Sequence, residues 1–289
     1  MRLLVTGAAG MLGHDVIRAG ERADHELIPV DLPDLDITDE RAVSTLFERD
    51  RPEAIVNCAA WTDVDGAESN EELARAVNAT GAGNLARAAA QIGASLLHIS
   101  TDYVFDGAAP LDEAGRERPY VESDPTGPRS VYGSTKLEGE LQVLAASTRH
   151  TVVRTSWLYG LDGKNFVDTM LRFAREREAV QVVDDQVGSP TWSGHLAPAI
   201  LGLLEREVRG LAHLTGTGAV SWNGFAKEIF RQAEVDCRVE PASSEQMARP
   251  APRPAYSVLE SERDDVLPMP SWEDGLAGYL AARDGMMRV

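Results

Sequence analysis

Scarcities narrow this chain first. Two cysteines, Cys58 and Cys237, occur in 289 residues. Two thiols so far apart suggest neither a disulfide framework nor a metal-ligand spacing, and Cys58, inside an apolar run, reads as a small core residue. Lysine occurs only as Lys136, Lys164 and Lys227, with arginine supplying nearly every other cation. Positive charge is short overall: 28 Lys and Arg stand against 46 Asp and Glu, a formal net charge of −18. Nucleic acid is therefore not expected as a partner, because phosphate binding needs a basic surface. Any anionic nucleotide has to be held by local features rather than by the overall field. No apolar run reaches bilayer-spanning length and no charged-plus-apolar leader precedes the first strand-like run, so a cytoplasmic protein without membrane contact is expected. Internal repeats and long low-complexity stretches are also missing. The length suits one large or two modest domains with a self-sufficient core.

Two motifs are present. In Val131-Tyr132-Gly133-Ser134-Thr135-Lys136 a tyrosine precedes a lysine by four residues, so both face one side of a helix. An ammonium beside a phenol favours phenolate and is expected to lower its pKa, which gives a proton donor and acceptor usable near neutral pH. Alone, this spacing also describes a solvated helical pair. The second motif follows the apolar run at residues 3–6: Gly7-Ala8-Ala9-Gly10-Met11-Leu12-Gly13, leading into a helical pattern. Gly7 permits a tight turn, Gly10 lets backbone approach a pyrophosphate, and Gly13 allows close helix–strand packing, with the helix N-terminus turned to the phosphates. The spacing is Gly-x-x-Gly-x-x-Gly rather than the commoner Gly-x-Gly-x-x-Gly. A second strand-like run ends in Asp31, placed to accept from an adenosine ribose 2′-hydroxyl and to repel a 2′-phosphate. NADH is thereby favoured over NADPH, unless Arg18 or Arg22 folds back. Thr38 or Asp39 is placed to cap the next helix; Asp36 and Ile37 sit where a loop either flanks an adenine or leads into that cap.

Strand-like runs at residues 3–6, 27–30, 54–58, 95–100 and 151–155 alternate with helical patterns at 11–19, 41–49, 70–92 (one long piece or two) and 132–146. Continuous apolar runs of this kind predict parallel strands buried on both faces, hence an α/β doubly wound parallel sheet with ligand chemistry at the strands' carboxyl ends. Beyond residue 155 the pattern loosens into helices at 166–176, 196–207 and 225–233 and short strands at 180–183 and 211–214, and Arg249-Pro250-Ala251-Pro252-Arg253-Pro254 has to be an ordered loop or a linker.

Gly-x-x-Gly-x-x-Gly, Asn57-Cys58-Ala59-Ala60, Ser100-Thr101-Asp102 and Tyr132-x-x-x-Lys136, in that order, resemble the extended short-chain dehydrogenase/reductases, and within them the reductases of nucleotide-linked 4-keto-6-deoxyhexoses. The resemblance covers nearly the whole chain. It is most specific at residues 57–68 (NCAAWTDVDGAE), 100–107 (STDYVFDG), 165–170 and 185–191 (DQVGSPT), and at Arg253-Pro254. It implies a Rossmann-like dinucleotide-binding domain over residues 1–155, with a returning part near 185–217, and a smaller α/β substrate-binding domain over 156–184 and 218–289. It implies NADH- or NADPH-dependent reduction of the 4-keto group of dTDP-4-dehydro-L-rhamnose. Tyr132 would give the proton, Lys136 would lower the Tyr132 pKa and bind the nicotinamide ribose, and Thr101 would polarise the carbonyl. Gly10, Met11 and Leu12 would line the pyrophosphate, Asp31 would hold the ribose, and Asp36 and Ile37 would border the adenine. Ala59, Ala60, Trp61 and Thr62 would run along the cofactor. Thr62, Asp102 and Trp157 would reach the sugar side, and Asn165 and Arg253 the nucleotide diphosphate.

One region departs from the family pattern. Some members hold magnesium between two subunits with carboxylates near the first helix and near the DQVGSPT segment. Asp15 is available for the first, but Trp192-Ser193-Gly194-His195 offers no carboxylate for the second. No required metal is expected, and the chain is expected to be a monomer or weak dimer. Three alternatives stand beside the leading reading. A sister dTDP-ketosugar reductase would use the same catalytic residues, and a non-catalytic nucleotide-binding subunit would not need to keep Thr101, Tyr132 and Lys136. A dehydratase would need an Asp-Glu pair after the threonine, where this chain has Asp102-Tyr103.

Overall fold

Leu3, Leu4, Val5, Ile55, Val56, Leu96, Leu97, Val152 and Val153 are all without solvent exposure, so the strands carrying them lie between two covering layers. The computed structural model describes residues 1–287. Its first half alternates β1 (Arg2–Thr6), α1 (Met11–Arg22), β2 (Glu26–Val30), α2 (Glu40–Asp50), β3 (Ala54–Asn57), the short α3 (Val64–Ala67) and α4 (Glu71–Arg75), α5 (Ala82–Ile92), β4 (Ser95–Thr101), α6 (Val131–Ala146) and β5 (Thr151–Thr155). Then come β6 (Leu158–Tyr159), α7 (Phe166–Glu176), β7 (Ala179–Val183), β8 (Val187–Gly188), β9 (Thr191–Trp192), α8 (Ser193–Glu205), β10 (Gly210–His213), β11 (Val220–Ser221), α9 (Trp222–Gln232), β12 (Arg238–Ala242) and α10 (Trp272–Met287).

Six strands form one sheet in the order β2-β1-β3-β4-β5-β10, every neighbouring pair parallel. Leu12, Val16 and Ala19 of α1 meet Leu196, Ile200 and Leu203 of α8 on one face. Val43 and Phe47 of α2, Leu85 and Ala89 of α5 and Val143 of α6 cover the other. Each fully buried aliphatic side chain of this kind stabilises by roughly 1.5–3 kcal/mol. From β1 the chain winds outward to β2 and then returns to β3 on the other side. Strand order therefore reverses at β1/β3, and the crevice at their carboxyl ends is the natural ligand position.

β10 returns to this sheet beside β5. A separate core of Tyr159, Val167, Leu171, Phe225, Ile229, Trp272, Leu276 and Tyr279 joins α7, α9 and α10 over the parallel pair β7–β12. β12 and α10 are not evident from sequence pattern. β12 carries Pro241, tolerated because its sheet has only two strands. Glycines weaken the helical signature of α10, yet Gly278 is seated where a Cβ would meet the Trp192 ring. The stretch at 70–92 proves to be one run with a flaw: α4 passes into α5 through a π-helical turn, Ala76–Gly81. Asn78 in that turn accepts from Trp61 N at 2.8 Å and donates to Thr135 Oγ1 at 3.1 Å, so it ties the loop after β3 to α6.

Candidate active site

The glycine-rich turn divides its labour. Gly7 has φ +66°, and a Cβ there would lie 2.6 Å from Ala59 N, so the turn presses on the loop after β3. A Cβ on Gly13 would collide with Gly7 O, which keeps α1 tight against the turn. Gly10 alone is exposed, and it precedes α1 with no side-chain cap and no acid in the helix's first turn. Free N–H groups and the positive end of the helix dipole are thus presented to an anion. Met11 is half-buried, whereas the Leu12 side chain lies in the core, leaving its backbone as the part nearest a ligand. Asp31, at the carboxyl end of β2, accepts from Ala9 N through Oδ2 and from Leu32 N through Oδ1, both at 2.8 Å. Its carboxylate is thereby fixed against the turn. Arg18 does not fold back toward it, because its guanidinium bonds Asp15 at 3.1 Å and Asp162 at 2.5 Å.

Thr101 ends β4 and Tyr132 begins α6, whose N-cap Ser130 accepts from Gly133 N at 3.1 Å. The Thr101 hydroxyl lies beside the Tyr132 phenol and accepts from Tyr103 N at 3.2 Å. It also donates to Asp102 Oδ1 at 3.0 Å. Burial pushes the phenol up to about 12, the Thr101 hydrogen bond pulls it down, and the Asp102 charge pushes it up. The expected lowering by Lys136 is not among these causes. Lys136 is 2% exposed and directs Nζ to Ile99 O at 2.6 Å and His98 Nε2 at 3.2 Å. Burial lowers the amine to about 8, against the pull of Glu140 and Cys58. Burial also pushes Asp102 up to about 6, against the Ser257 and Thr101 hydroxyls, and its Oδ2 is buried with no partner in hydrogen-bond geometry. An unpartnered acceptor beside a Thr–Tyr pair suits a ligand hydroxyl.

Tyr103 meets the Tyr132 ring edge-on at 5.4 Å, and Arg253 lies 6.0 Å above Tyr103. Arg253 is held by Asp65 at 2.9 Å and Ala251 O at 3.1 Å, so the 249–254 loop is anchored to α3 at the rim of the site. Along the loop after β3, Ala59 N bonds Asn57 Oδ1, Ala60 and Trp61 are half-buried, and Thr62 is exposed.

Several of the expected site residues already have partners within the protein. Asn165 is not free to meet a diphosphate: it is the N-cap of α7, accepting from Asp168 N at 2.9 Å while its amide donates to Gly160 O and Tyr279 OH. Ile37 buries its side chain in the core, 6% exposed, and its carbonyl accepts from Asn84. Asp36 folds onto Thr38 N and Oγ1, and Asp39 rather than Thr38 caps α2. Trp157, at φ +46°, stacks on Trp222 with centroids 3.6 Å apart, so one indole face is already covered. Sequence reading missed Trp222, His98, Ser257 and the buried ion pair Glu140–Arg154, joined at 2.7 Å. None lies in a spacing that distinguishes a site residue from a core residue.

The uncapped α1, exposed Gly10 and fixed Asp31 fit a dinucleotide. A divalent cation at α1 is not supported by the residues there. Asp15 Oδ2 accepts from Ser193 Oγ at 2.5 Å and Oδ1 accepts from Arg18, so its charge is already answered by a guanidinium. Among the described residues no helix is long and apolar enough to cross a membrane.

Fold and site together define a parallel dinucleotide-binding α/β protein with a threonine, tyrosine and lysine gathered at β4 and α6. The chain belongs to the family described as RmlD substrate binding domain, whose model matches residues 1–284. It is 46% identical over 288 residues to a dTDP-4-dehydrorhamnose reductase of Mycobacterium tuberculosis, covering 97% of this chain and 93% of that protein. It is 44% identical over 260 residues to a dTDP-4-keto-6-deoxy-D-glucose reductase of Streptomyces niveus, covering 89% and 88%. The crystal structure of dTDP-4-dehydrorhamnose reductase from Bacillus anthracis in complex with NADP is similar with a TM-score of 0.92 at 40% identity, covering 97% of this chain and 99% of that one.

Proposed function

We propose that the protein is an oxidoreductase that reduces the 4-keto group of dTDP-4-dehydro-L-rhamnose to dTDP-L-rhamnose with a nicotinamide cofactor. The reading is carried by the neighbouring Thr101, at the end of β4, and Tyr132, in the first turn of α6, on the same carboxyl edge of the sheet as the glycine-rich turn. When bound, the cofactor supplies a hydride to the keto carbon. Tyr132 gives its phenolic proton to the oxygen that gains charge. Thr101 turns its single hydroxyl proton from Asp102 to the same oxygen, a contact that strengthens as charge develops. Lys136, once protonated, donates to ribose hydroxyls and stabilises the phenolate left behind.

Gly10, Met11 and Leu12 offer backbone N–H groups to the pyrophosphate, and Asp31 accepts from the adenosine ribose, which favours NADH. Ala59, Ala60, Trp61 and Thr62 line the cofactor. Asp102 Oδ2 and the edge of Trp157 meet the sugar, and the Arg253 fork meets a phosphate. Residues 1–155 with 185–217 serve the cofactor and the remainder the substrate, in a cytoplasmic monomer or weak dimer. A second reading, reduction of another dTDP-ketosugar, is favoured by the Streptomyces niveus relative and uses the same reacting groups.

The test is oxidation of NADH and of NADPH, followed by nicotinamide absorbance, with enzymatically generated dTDP-4-dehydro-L-rhamnose. Rapid turnover to dTDP-L-rhamnose is expected. Cofactor binding without turnover on this sugar, but with turnover on another dTDP-ketosugar, would install the second reading.

A further inference from the structure

Behind Lys136 runs a line of buried polar groups that the proposed chemistry does not use: Thr6, Asn57 and His98, each at most 1% exposed. Their protons can be assigned link by link. Ala59 N–H donates to Asn57 Oδ1 at 3.1 Å, and the Thr6 hydroxyl donates to the same atom at 2.7 Å. A backbone N–H cannot accept, so this end of the amide is the oxygen. The other end, Nδ2, faces His98 Nδ1 at 2.9 Å. An amide NH2 only donates, so Nδ1 accepts and carries no proton. A neutral imidazole keeps one N–H, which therefore sits on Nε2, 3.2 Å from Lys136 Nζ. An ammonium has no lone pair and would meet that N–H hydrogen to hydrogen. An amine accepts it and still donates to Ile99 O.

The other groups around Nζ do not reverse this. Glu140, on the same helix, favours the ammonium, but both its oxygens are held by Arg154 of β5 and one also takes the Ser100 hydroxyl. Cys58, after β3, remains a thiol, pushed up to about 12 by burial. Tyr132 remains a phenol. His98 itself stays neutral, since burial holds it well below the ordinary imidazole range.

We propose that His98 is a positioning residue that favours the amine form of Lys136 in the free protein, so that in alkaline solution binding of the nicotinamide cofactor brings one proton from solvent onto Lys136. The second half rests on the cofactor reading above; the first does not. On binding, ribose hydroxyls and the pyrophosphate give the ammonium the acceptors and opposite charge it lacks. The Nζ lone pair leaves the His98 N–H and takes the proton from buffer acid. Lysine burial points the same way, with the Lys136 midpoint at about 8.

Three lysines make the first half directly measurable. Protein labelled with 13C at lysine Cε gives three signals to titrate. Lys164 and Lys227 are expected near the ordinary lysine value of about 10.4, and Lys136 more than a pH unit lower. In His98→Gln the side-chain carbonyl can turn to Nζ as an acceptor, and the Lys136 midpoint should rise by about one unit or more. Asn57→Asp, which reverses the imidazole tautomer, should raise it too. An ordinary midpoint in the wild type, or a low one that neither variant moves, would overturn the assignment. The second half is read by calorimetric titration with NADH at pH 9 in buffers of different ionisation heat. Uptake of about one proton is expected in the wild type, falling toward zero at pH 6.5 and in His98→Gln. Binding with no uptake at pH 9 would sink the coupling. Failure of NADH and NADPH to bind at all would sink the cofactor reading, while the free-protein titration still decides the role of His98.

Discussion

Trp157 and Trp222 lie face to face, their ring centroids 3.6 Å apart and their planes 4° from parallel. Trp157 belongs to the segment after β5 and Trp222 opens α9, so the stack joins the carboxyl end of a central strand to the C-terminal core. It also covers one face of Trp157, a residue of the proposed sugar site. Trp222→Leu should raise the KM for the sugar nucleotide several-fold and leave NADH affinity unchanged, because the indole loses its backing. Such a pair is worth about 0.5–1.5 kcal/mol beyond burial, so a measurable fall in Tm should accompany it. Unchanged KM would remove Trp157 from the substrate site.

Tyr132→Phe deletes the proton donor and keeps the ring against Tyr103. We expect kcat to fall by roughly 10²–10⁴, the usual share of general acid catalysis, with cofactor Kd within about twofold, a bound set by the ring contacts that remain. Steady-state rates and fluorescence titration separate the two. A variant with wild-type turnover would place the proton donor elsewhere.

Asp31 binds the turn from below through Ala9 N and leaves lone pairs for a ribose. Asp31→Ser should lower kcat/KM for NADH by about tenfold or more, the scale of a lost charge-assisted hydrogen bond, and should improve the relative use of NADPH by removing a repelling charge. If the wild type already favours NADPH, Asp31 does not hold the ribose.

Asp102 carries a pH signature. Its folded pKa, raised by burial from 3.8 to about 6, exceeds the unfolded value. Below about pH 4 the carboxyl is protonated in both states and has no effect. As pH rises from 4 to 6 the unfolded chain ionises first, and folding stability falls by roughly 3 kcal/mol. Asp102→Asn should abolish this slope, so its Tm should gain on the wild type between pH 4 and 7. Parallel melting curves across that range would rule it out.

The clamp of Arg18 and Ser193 on Asp15 leads to a metal prediction. Incubation with a chelator should leave kcat/KM within about twofold, since the guanidinium already answers the carboxylate. Full loss on chelation with recovery in magnesium would overturn it.

Local order was legible in the chain itself. Apolar runs that must be buried on both faces announced five of the six central strands as parallel ones, and the glycine spacing announced the turn, in which Gly7 and Gly13 leave no room for a Cβ. Tyr132 and Lys136 were legible through helical spacing, which sets direction but not surroundings. Packing decided the rest. The same lysine that spacing sets beside a phenol is drawn by burial to Ile99 O and His98, because a buried amine takes the nearest acceptors and donors rather than the nearest sequence neighbour. The Asn165 amide is also taken up by Tyr279 and the Ile37 carbonyl by Asn84, partners that lie far off in sequence. A sequence by itself determines which groups are available; only the tertiary structure determines which of them are already spent on one another, because hydrogen-bond capacity is finite and is allotted by distance in the folded chain.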